Sequence, residues 1–177
     1  MANDDRTGTL RALLRDVPDF PRPGILFRDI TALLTDPVGF REAVEAMAAP
    51  WHGSGVTAVA GIESRGFILG GAIARVLDAG FIAVRKEGRL PRATVRQSYH
   101  LEYGDAVLEV HTDAAAPGQR VLVADDLLAT GGTAGATVAL LQRLGADVAG
   151  CAFLVELEGL GGGRALGSIG HTSVLVL

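Results

Sequence analysis

Asp125 and Asp126 stand a few residues ahead of Thr130-Gly131-Gly132-Thr133, and the spacing joins two kinds of chemistry. Ionised carboxylates accept hydrogen bonds from nearby hydroxyls, and vicinal ribose hydroxyls are the obvious partners. Two glycines between threonines let the backbone come close to a phosphate, while the hydroxyls of Thr130 and Thr133 add donors and a cap. Over residues 133–144 Ala134, Val138, Leu141 and Leu144 recur at the spacing of an amphipathic helix. A helix N-terminus offers unpaired N–H groups and the positive end of its dipole, so residues 129–133 read as an anion site that fits a phosphate monoester. The loop lacks the Lys-Ser/Thr ending of a nucleoside-triphosphatase loop and the GxGxxG dinucleotide fingerprint. The apolar run 121–124 before it reads as a buried parallel strand that the two carboxylates end. Neighbours at a strand end point to opposite sides, so the two Asp residues are expected to repel only weakly.

These residues need elements to hold them. Residues 56–60 form another short apolar run, followed by Glu63-Ser64-Arg65-Gly66 and a helical stripe of Phe67, Leu69, Ile73 and Leu77. A third run, 81–84, delivers Arg85 and Lys86. Strands alternating with helices imply right-handed crossovers and a parallel sheet, with both polar loops at its carboxyl edge. Residues 85–96 then carry Arg85, Lys86, Arg89, Arg92 and Arg96 against one acid, Glu87. With Gly88 and Pro91, residues 85–104 read as a mobile lid for anionic ligands. They run through Ser98-Tyr99-His100-Leu101-Glu102-Tyr103-Gly104 into residues 105–111, whose alternation suggests a half-exposed strand and hence a hairpin.

The 177 residues make one domain of ordinary size, and 49% hydrophobic content, 20% charged content and net charge −4 point away from nucleic acid, membrane surfaces and disorder. No apolar run approaches the ~20 residues of a membrane-spanning helix. A polar start without a signal peptide and a single cysteine, Cys151, fit a soluble cytoplasmic protein; Cys151 lies in the apolar strand 146–156 and reads as core. The four histidines have no metal-ligand spacing. Leu10, Leu13, Leu14 and Val17 trace a helix ended by Pro18. The proline-rich apolar stretch 20–30 reads as a loop that covers something, and Asp36-Pro37 caps a helix through Phe40, Val44 and Met47. A last strand spans 172–177.

The run VLVADDLLATGGT resembles the phosphoribosyl pyrophosphate signature of the type I phosphoribosyltransferases. FPRPGILFRDIT, GIESRGF, VRKEGRLP and SYHLEYG follow the order and spacing of that family's adenine-specific branch. The resemblance implies a Rossmann-like α/β fold: a parallel sheet flanked by helices, a flexible lid, and an N-terminal helix and base-covering hood over residues 1–35. It implies transfer of the 5-phosphoribosyl group from phosphoribosyl pyrophosphate to adenine, a purine-salvage reaction giving AMP and pyrophosphate, performed by a homodimer. Magnesium would be bound mainly by pyrophosphate and water, without a protein metal cage. Ala129, Thr130, Gly131, Gly132 and Thr133 would take the 5-phosphate, Asp125 and Asp126 the ribose, and Ser64, Arg65, Arg85 and Lys86 the pyrophosphate. Phe27 and Leu127 would sandwich adenine, with backbone groups of Leu26 and Arg28 reading its amino edge. Glu102 would exchange a proton at N7 and Tyr103 close over the site, with Arg65 also at the reacting centre. The rivals are transfer to another purine and a non-catalytic regulator sensing phosphoribosyl pyrophosphate. The latter would normally carry a nucleic-acid-binding module or basic face.

Overall fold

Residues 1–46 and 47–177 form two compact units in the computed structural model, which describes the backbone of residues 2–101 and 104–177 and the side chains of 6–99 and 106–177. The first unit holds α1 (Ala2–Ala12), β1 (Arg15–Pro18), β2 (Leu26–Asp29), α2 (Thr31–Thr35) and most of α3 (Pro37–Ala48), which carries the chain onward. The helix expected to reach Val17 ends at Ala12. Residues 15–18 instead pair antiparallel with β2, Val17 opposite Phe27, which gives their backbone groups the partners a helix would have supplied. The proline-rich stretch is the connection of this hairpin, closed by the Phe20 N–H on the Ile25 carbonyl at 3.3 Å and the Gly24 N–H on the Asp19 carboxylate at 2.7 Å. Asp36 caps α3 as expected, its Oδ1 accepting the N–H groups of Val38 at 3.1 Å and Gly39 at 2.7 Å.

The second unit runs β3 (Ala58–Ile62), α4 (Arg65–Val76), β4 (Gly80–Lys86), β5 (Thr94–Leu101), β6 (Gly104–His111), β7 (Arg120–Leu128), α5 (Gly132–Arg143), β8 (Asp147–Glu156), the short α6 (Gly162–Ala165) and β9 (His171–Val176). Its sheet has the order β5-β6-β4-β3-β7-β8-β9. Strands β4, β3, β7, β8 and β9 are parallel, and the β5–β6 hairpin joins the β4 edge antiparallel. This is the expected α/β fold with a mostly parallel sheet. The α4 crossover steps from β3 outward to β4, and the α5 crossover steps from β7 the other way to β8. Right-handed connections therefore put the two helices on opposite faces, and the strand order reverses between β3 and β7.

Val59, Ala60, Val84, Val121, Val123, Leu140 and Leu141 are fully buried, each larger side chain contributing roughly 1.5–3 kcal/mol of transfer free energy. Cys151 is core, and burial pushes its thiol up to about 12. Two strand expectations change. The carboxylates do not end β7: Asp125 pairs with Phe153, Leu127 with Val155 and Leu128 with Glu156, because the long β8 supplies backbone partners past Ala124. Nor is β6 half exposed, for Leu108, Glu109 and Val110 are all buried. No helix among the described residues is long and apolar enough to cross a membrane.

Close approach of α4 to the sheet depends on Gly66. A Cβ there would fall 2.9 Å from the Ala124 carbonyl oxygen and 2.8 Å from the Asp125 carboxylate. Gly66→Ala should therefore destabilise the protein by about 1–3 kcal/mol, the usual cost of overpacking, read as a lower denaturation midpoint at unchanged slope. An unchanged midpoint would show that α4 has room to retreat.

Candidate active site

Ligands of open α/β sheets bind outside the carboxyl ends of the strands where the order reverses, here beyond β3 and β7. A cavity of about 570 Å³ lies there, lined by Glu63, Ser64 and Arg65 after β3, Lys86 at the end of β4, Asp125 and Asp126 of β7, and Thr133 in the first turn of α5. Tyr99 of β5 and Ala106 of β6 complete the lining. Six residues expected to act together, Ser64, Arg65, Lys86, Asp125, Asp126 and Thr133, thus share one wall. Sequence patterning assigns no task to Glu63, Tyr99 or Ala106, although Glu63 sits inside the Glu-Ser-Arg string and Tyr99 inside the Ser-Tyr-His-Leu-Glu-Tyr-Gly run. The Glu63–Ser64 peptide bond is cis.

The charges in this wall are arranged against one another. Arg65, the first residue of α4, places Nε 2.6 Å from Oδ2 of the buried Asp126. The Asp126 N–H donates to Oδ1 of Asp125 at 2.9 Å. The two carboxylates therefore do not point apart into separate surroundings; both reach the cavity, and they repel. Burial first, and the Asp126 charge second, push the Asp125 carboxyl well above the ordinary aspartate range. Glu63 is the opposite case. Arg85 grips it through Nε at 3.2 Å and Nη2 at 3.3 Å, the Lys86 N–H adds a third bond at 3.2 Å, and the Arg85 bond above all holds Glu63 below the usual range. Arg85 itself lies behind Glu63, its guanidinium 5.9 Å from the Phe67 ring centroid.

At the end of β7, Gly131 forms the N-cap of α5 in the left-handed conformation, φ 83°, and no side chain caps the helix. The expected threonine cap is absent because the chain turns through Gly131 and leaves Thr133 inside the first turn. Glycine is needed there twice over: for its φ, and because a Cβ would lie 2.7 Å from the Gly162 carbonyl oxygen. The first helical bond runs from the Gly135 N–H to the Gly131 carbonyl at 2.8 Å, so the N–H groups of residues 132–134 have no intrahelical acceptor. Those unpaired N–H groups lie where the sequence suggests an anion site, over residues 129–133, with Ala129 half-buried, Thr130 exposed and Gly131 and Gly132 at the turn into the helix.

The cationic segment is less isolated than its sequence suggests. Arg92 pairs with Asp113 at 2.5 Å, Arg96 with Glu87 at 2.8 Å, and Arg96 also approaches the buried Glu109 at 3.5 Å. Folding back as the β5–β6 hairpin brings Glu109 and Asp113 to cations far away along the chain. Leu127 is half-buried in β7 and does not line the cavity. Leu26, Phe27 and Arg28 belong to β2 of the first unit, where Arg28 pairs with Asp16 and the Phe27 ring meets Phe20 edge to face at 5.1 Å. Glu102 and Tyr103 lie outside the described residues, as does the His100 side chain. Among the described residues no three His, Cys, Asp or Glu side chains converge as metal ligands.

Asp125 gives a pH test. An acid whose folded pKa lies above its unfolded value, about 3.9 for Asp, binds its proton more tightly in the native state, so stability falls as pH rises above about 4. Asp125→Asn removes that loss. The melting temperature at pH 7 should rise by a few degrees, about the effect of 1 kcal/mol in a protein this size, with little change at pH 4. A lower melting temperature at pH 7 would mean that the native state favours the ionised carboxylate.

Comparison with known proteins agrees with this geometry. Residues 37–162 match the family model of the phosphoribosyl transferase domain. Adenine phosphoribosyltransferase from Jannaschia sp. is 56% identical over 162 residues, covering 92% of this chain and 90% of that protein. Among solved structures, adenine phosphoribosyltransferase from Rhodothermus marinus superposes with a TM-score of 0.95 at 52% identity, covering 98% of this chain and 99% of that one. The Saccharomyces cerevisiae enzyme, solved with an imino-altritol bisphosphate and adenine, does so with a TM-score of 0.92 at 32% identity, covering 97% and 99%. With relatives this similar over nearly their whole length, the chain belongs to the adenine phosphoribosyltransferases of the phosphoribosyl transferase domain family.

Proposed function

We propose that this chain transfers the 5-phosphoribosyl group of phosphoribosyl pyrophosphate to adenine, forming AMP. The N9 lone pair of adenine carrying its proton on N7 forms a bond to C1 of the ribose as the C1–oxygen bond to pyrophosphate breaks, with inversion at C1, and the N7 proton is lost to the base that faces it. The observation that carries this reading is the single cavity in which Ser64, Arg65, Lys86, Asp125, Asp126 and Thr133 meet at the strand-order reversal.

Each residue has a physical task. The N–H groups at the start of α5, with Ala129, Thr130, Gly131, Gly132 and Thr133, anchor the 5-phosphate. Asp125 and Asp126 orient the ribose hydroxyls and favour positive charge developing at C1. Ser64, Arg65, Arg85 and Lys86 gather the pyrophosphate oxygens, guanidinium groups offering paired donors. Arg65 is held by Asp126 in the free protein, so binding exchanges partners: Arg65 moves to pyrophosphate and Asp126 to ribose. The exchange spares both groups an unpaired buried charge.

Magnesium fits this site as a companion of the substrate. No three protein ligands converge among the described residues, while the acidic wall at Asp125 and Asp126 suits a cation carried by pyrophosphate oxygens and water. When bound it would neutralise charge on the leaving group. Adenine recognition falls to Leu26, Phe27, Arg28 and Leu127. Proton exchange at N7 falls to Glu102, with Tyr103 beside it and residues 85–104 closing as the lid. The active form in this reading is a cytoplasmic homodimer.

The test is a base panel of adenine, guanine, hypoxanthine and xanthine with phosphoribosyl pyrophosphate and magnesium. Adenine should be transferred at least about 10²-fold faster than the others, since a site built to pair with its amino edge leaves polar groups unpaired around a 6-oxopurine. Preference for a 6-oxopurine, or no transfer to any base, would overturn the reading. In the same assay Glu102→Gln should lower turnover by on the order of 10²-fold with affinity for phosphoribosyl pyrophosphate intact. Near-normal turnover would return the proton to water or Tyr103.

A further inference from the structure

Glu109 is the buried charge that the transfer reaction leaves without a task. On β6 it is 1% exposed, in register with Arg85 of β4 on one side and Arg96 of β5 on the other. Its Oε1 accepts the N–H groups of Arg89 at 2.8 Å and Leu90 at 3.0 Å. Its Oε2 accepts the Thr94 hydroxyl at 3.3 Å, with Arg96 Nε 3.5 Å away. One carboxylate thus gathers the loop between β4 and β5, which is the root of the proposed lid.

The held loop acts on Arg85. The Arg89 carbonyl accepts Arg85 Nη1 at 3.1 Å, while Nε and Nη2 of the same guanidinium are on Glu63 in the cavity wall. Two anchors therefore fix where Arg85 points, and one of them is itself fixed by Glu109. The carboxylate gains in turn, since two backbone N–H groups and a hydroxyl replace the water it lost on burial.

We propose that Glu109 is a positioning residue for pyrophosphate, acting through the backbone at Arg89 and Leu90 to hold the Arg85 guanidinium on Glu63, behind the cavity wall. This rests on the proposed role of Arg85 toward phosphoribosyl pyrophosphate. The plainer alternative is a brace that stabilises the hairpin and leaves substrate binding alone, and the two differ in what a variant changes. An amide at this position keeps one acceptor and loses the charge that orders both N–H groups.

The experiment is a double-mutant cycle of Glu109→Gln and Arg85→Ala, with KM for phosphoribosyl pyrophosphate, KM for adenine and melting temperature measured for each. Glu109→Gln should raise KM for phosphoribosyl pyrophosphate about tenfold, as misplaced binding groups do, with KM for adenine within about twofold. Added to Arg85→Ala it should cause no further loss, because the effect runs through Arg85. Fully additive effects, or a lower melting temperature with unchanged KM, would overturn the proposal in favour of a brace. An Arg85→Ala enzyme with unchanged KM for phosphoribosyl pyrophosphate would also overturn it, while transfer to adenine by the wild type would keep the functional reading standing. Should Glu109→Gln fail to fold, hydrogen exchange of the wild type decides. The Arg89 and Leu90 amides should exchange as slowly as those of β6, and fast exchange at either would sink the clamp.

Discussion

Parallel pairing of β3 with β7, in the register Ala58 to Val121 through Gly61 to Ala124, is the constraint on which the site depends. It brings two polar loops to one edge, although about sixty residues of sequence lie between them. It also sends α4 and α5 to opposite faces, so that each leaves the crevice with its N-terminus facing in. Arg65 heads one helix and Gly131 caps the other. Slipping the pairing by one residue would exchange, in one of these strands, the side chains packed on its two covered faces and displace one loop from the other, so core packing and the assembly of the site are enforced by the same register.

Charge pairing is the second consequence. A crevice built to take a polyanion and a sugar must hold cations and anions side by side, and an unpaired charge out of water costs several kcal/mol. Here Arg65 is matched by Asp126 and Arg85 by Glu63, while burial and the neighbouring Asp126 charge raise the Asp125 carboxyl above the ordinary aspartate range. In the proposed reading, substrate binding is then an exchange of partners among groups already in place. Gly66 and Gly131 keep the distances short, one letting α4 press on the Asp125 strand and the other letting the turn into α5 lie against Gly162.

How much of this is legible in the sequence depends on the range of the interaction. The Val-rich runs and the Gly-Gly turn are local, and their elements appear within a few residues of where patterning puts them. The family follows from VLVADDLLATGGT and its companion strings. What local pattern cannot convey is pairing. Val17 continues a helical stripe in sequence, yet it pairs opposite Phe27 in a strand. Asp125 and Asp126 look like a strand end but lie mid-strand, because β8 runs far enough to hold them. Glu109 reads as the polar member of an alternating strand, and only the fold-back of residues 89–94 over it reveals a buried carboxylate. Similarly, the isolation of the cations in 85–96 vanishes once Glu63, Glu109 and Asp113 arrive from other strands and turns.

The exchange of partners can be seen directly in a crystal structure with phosphoribosyl pyrophosphate and magnesium bound. The expected result is a 5-phosphate against the N–H groups at the start of α5, ribose hydroxyls on Asp125 and Asp126, and Arg65 moved from its 2.6 Å contact with Asp126 onto a pyrophosphate oxygen. A bound substrate with that contact intact, or a 5-phosphate seated away from residues 129–133, would contradict the assignment of this crevice.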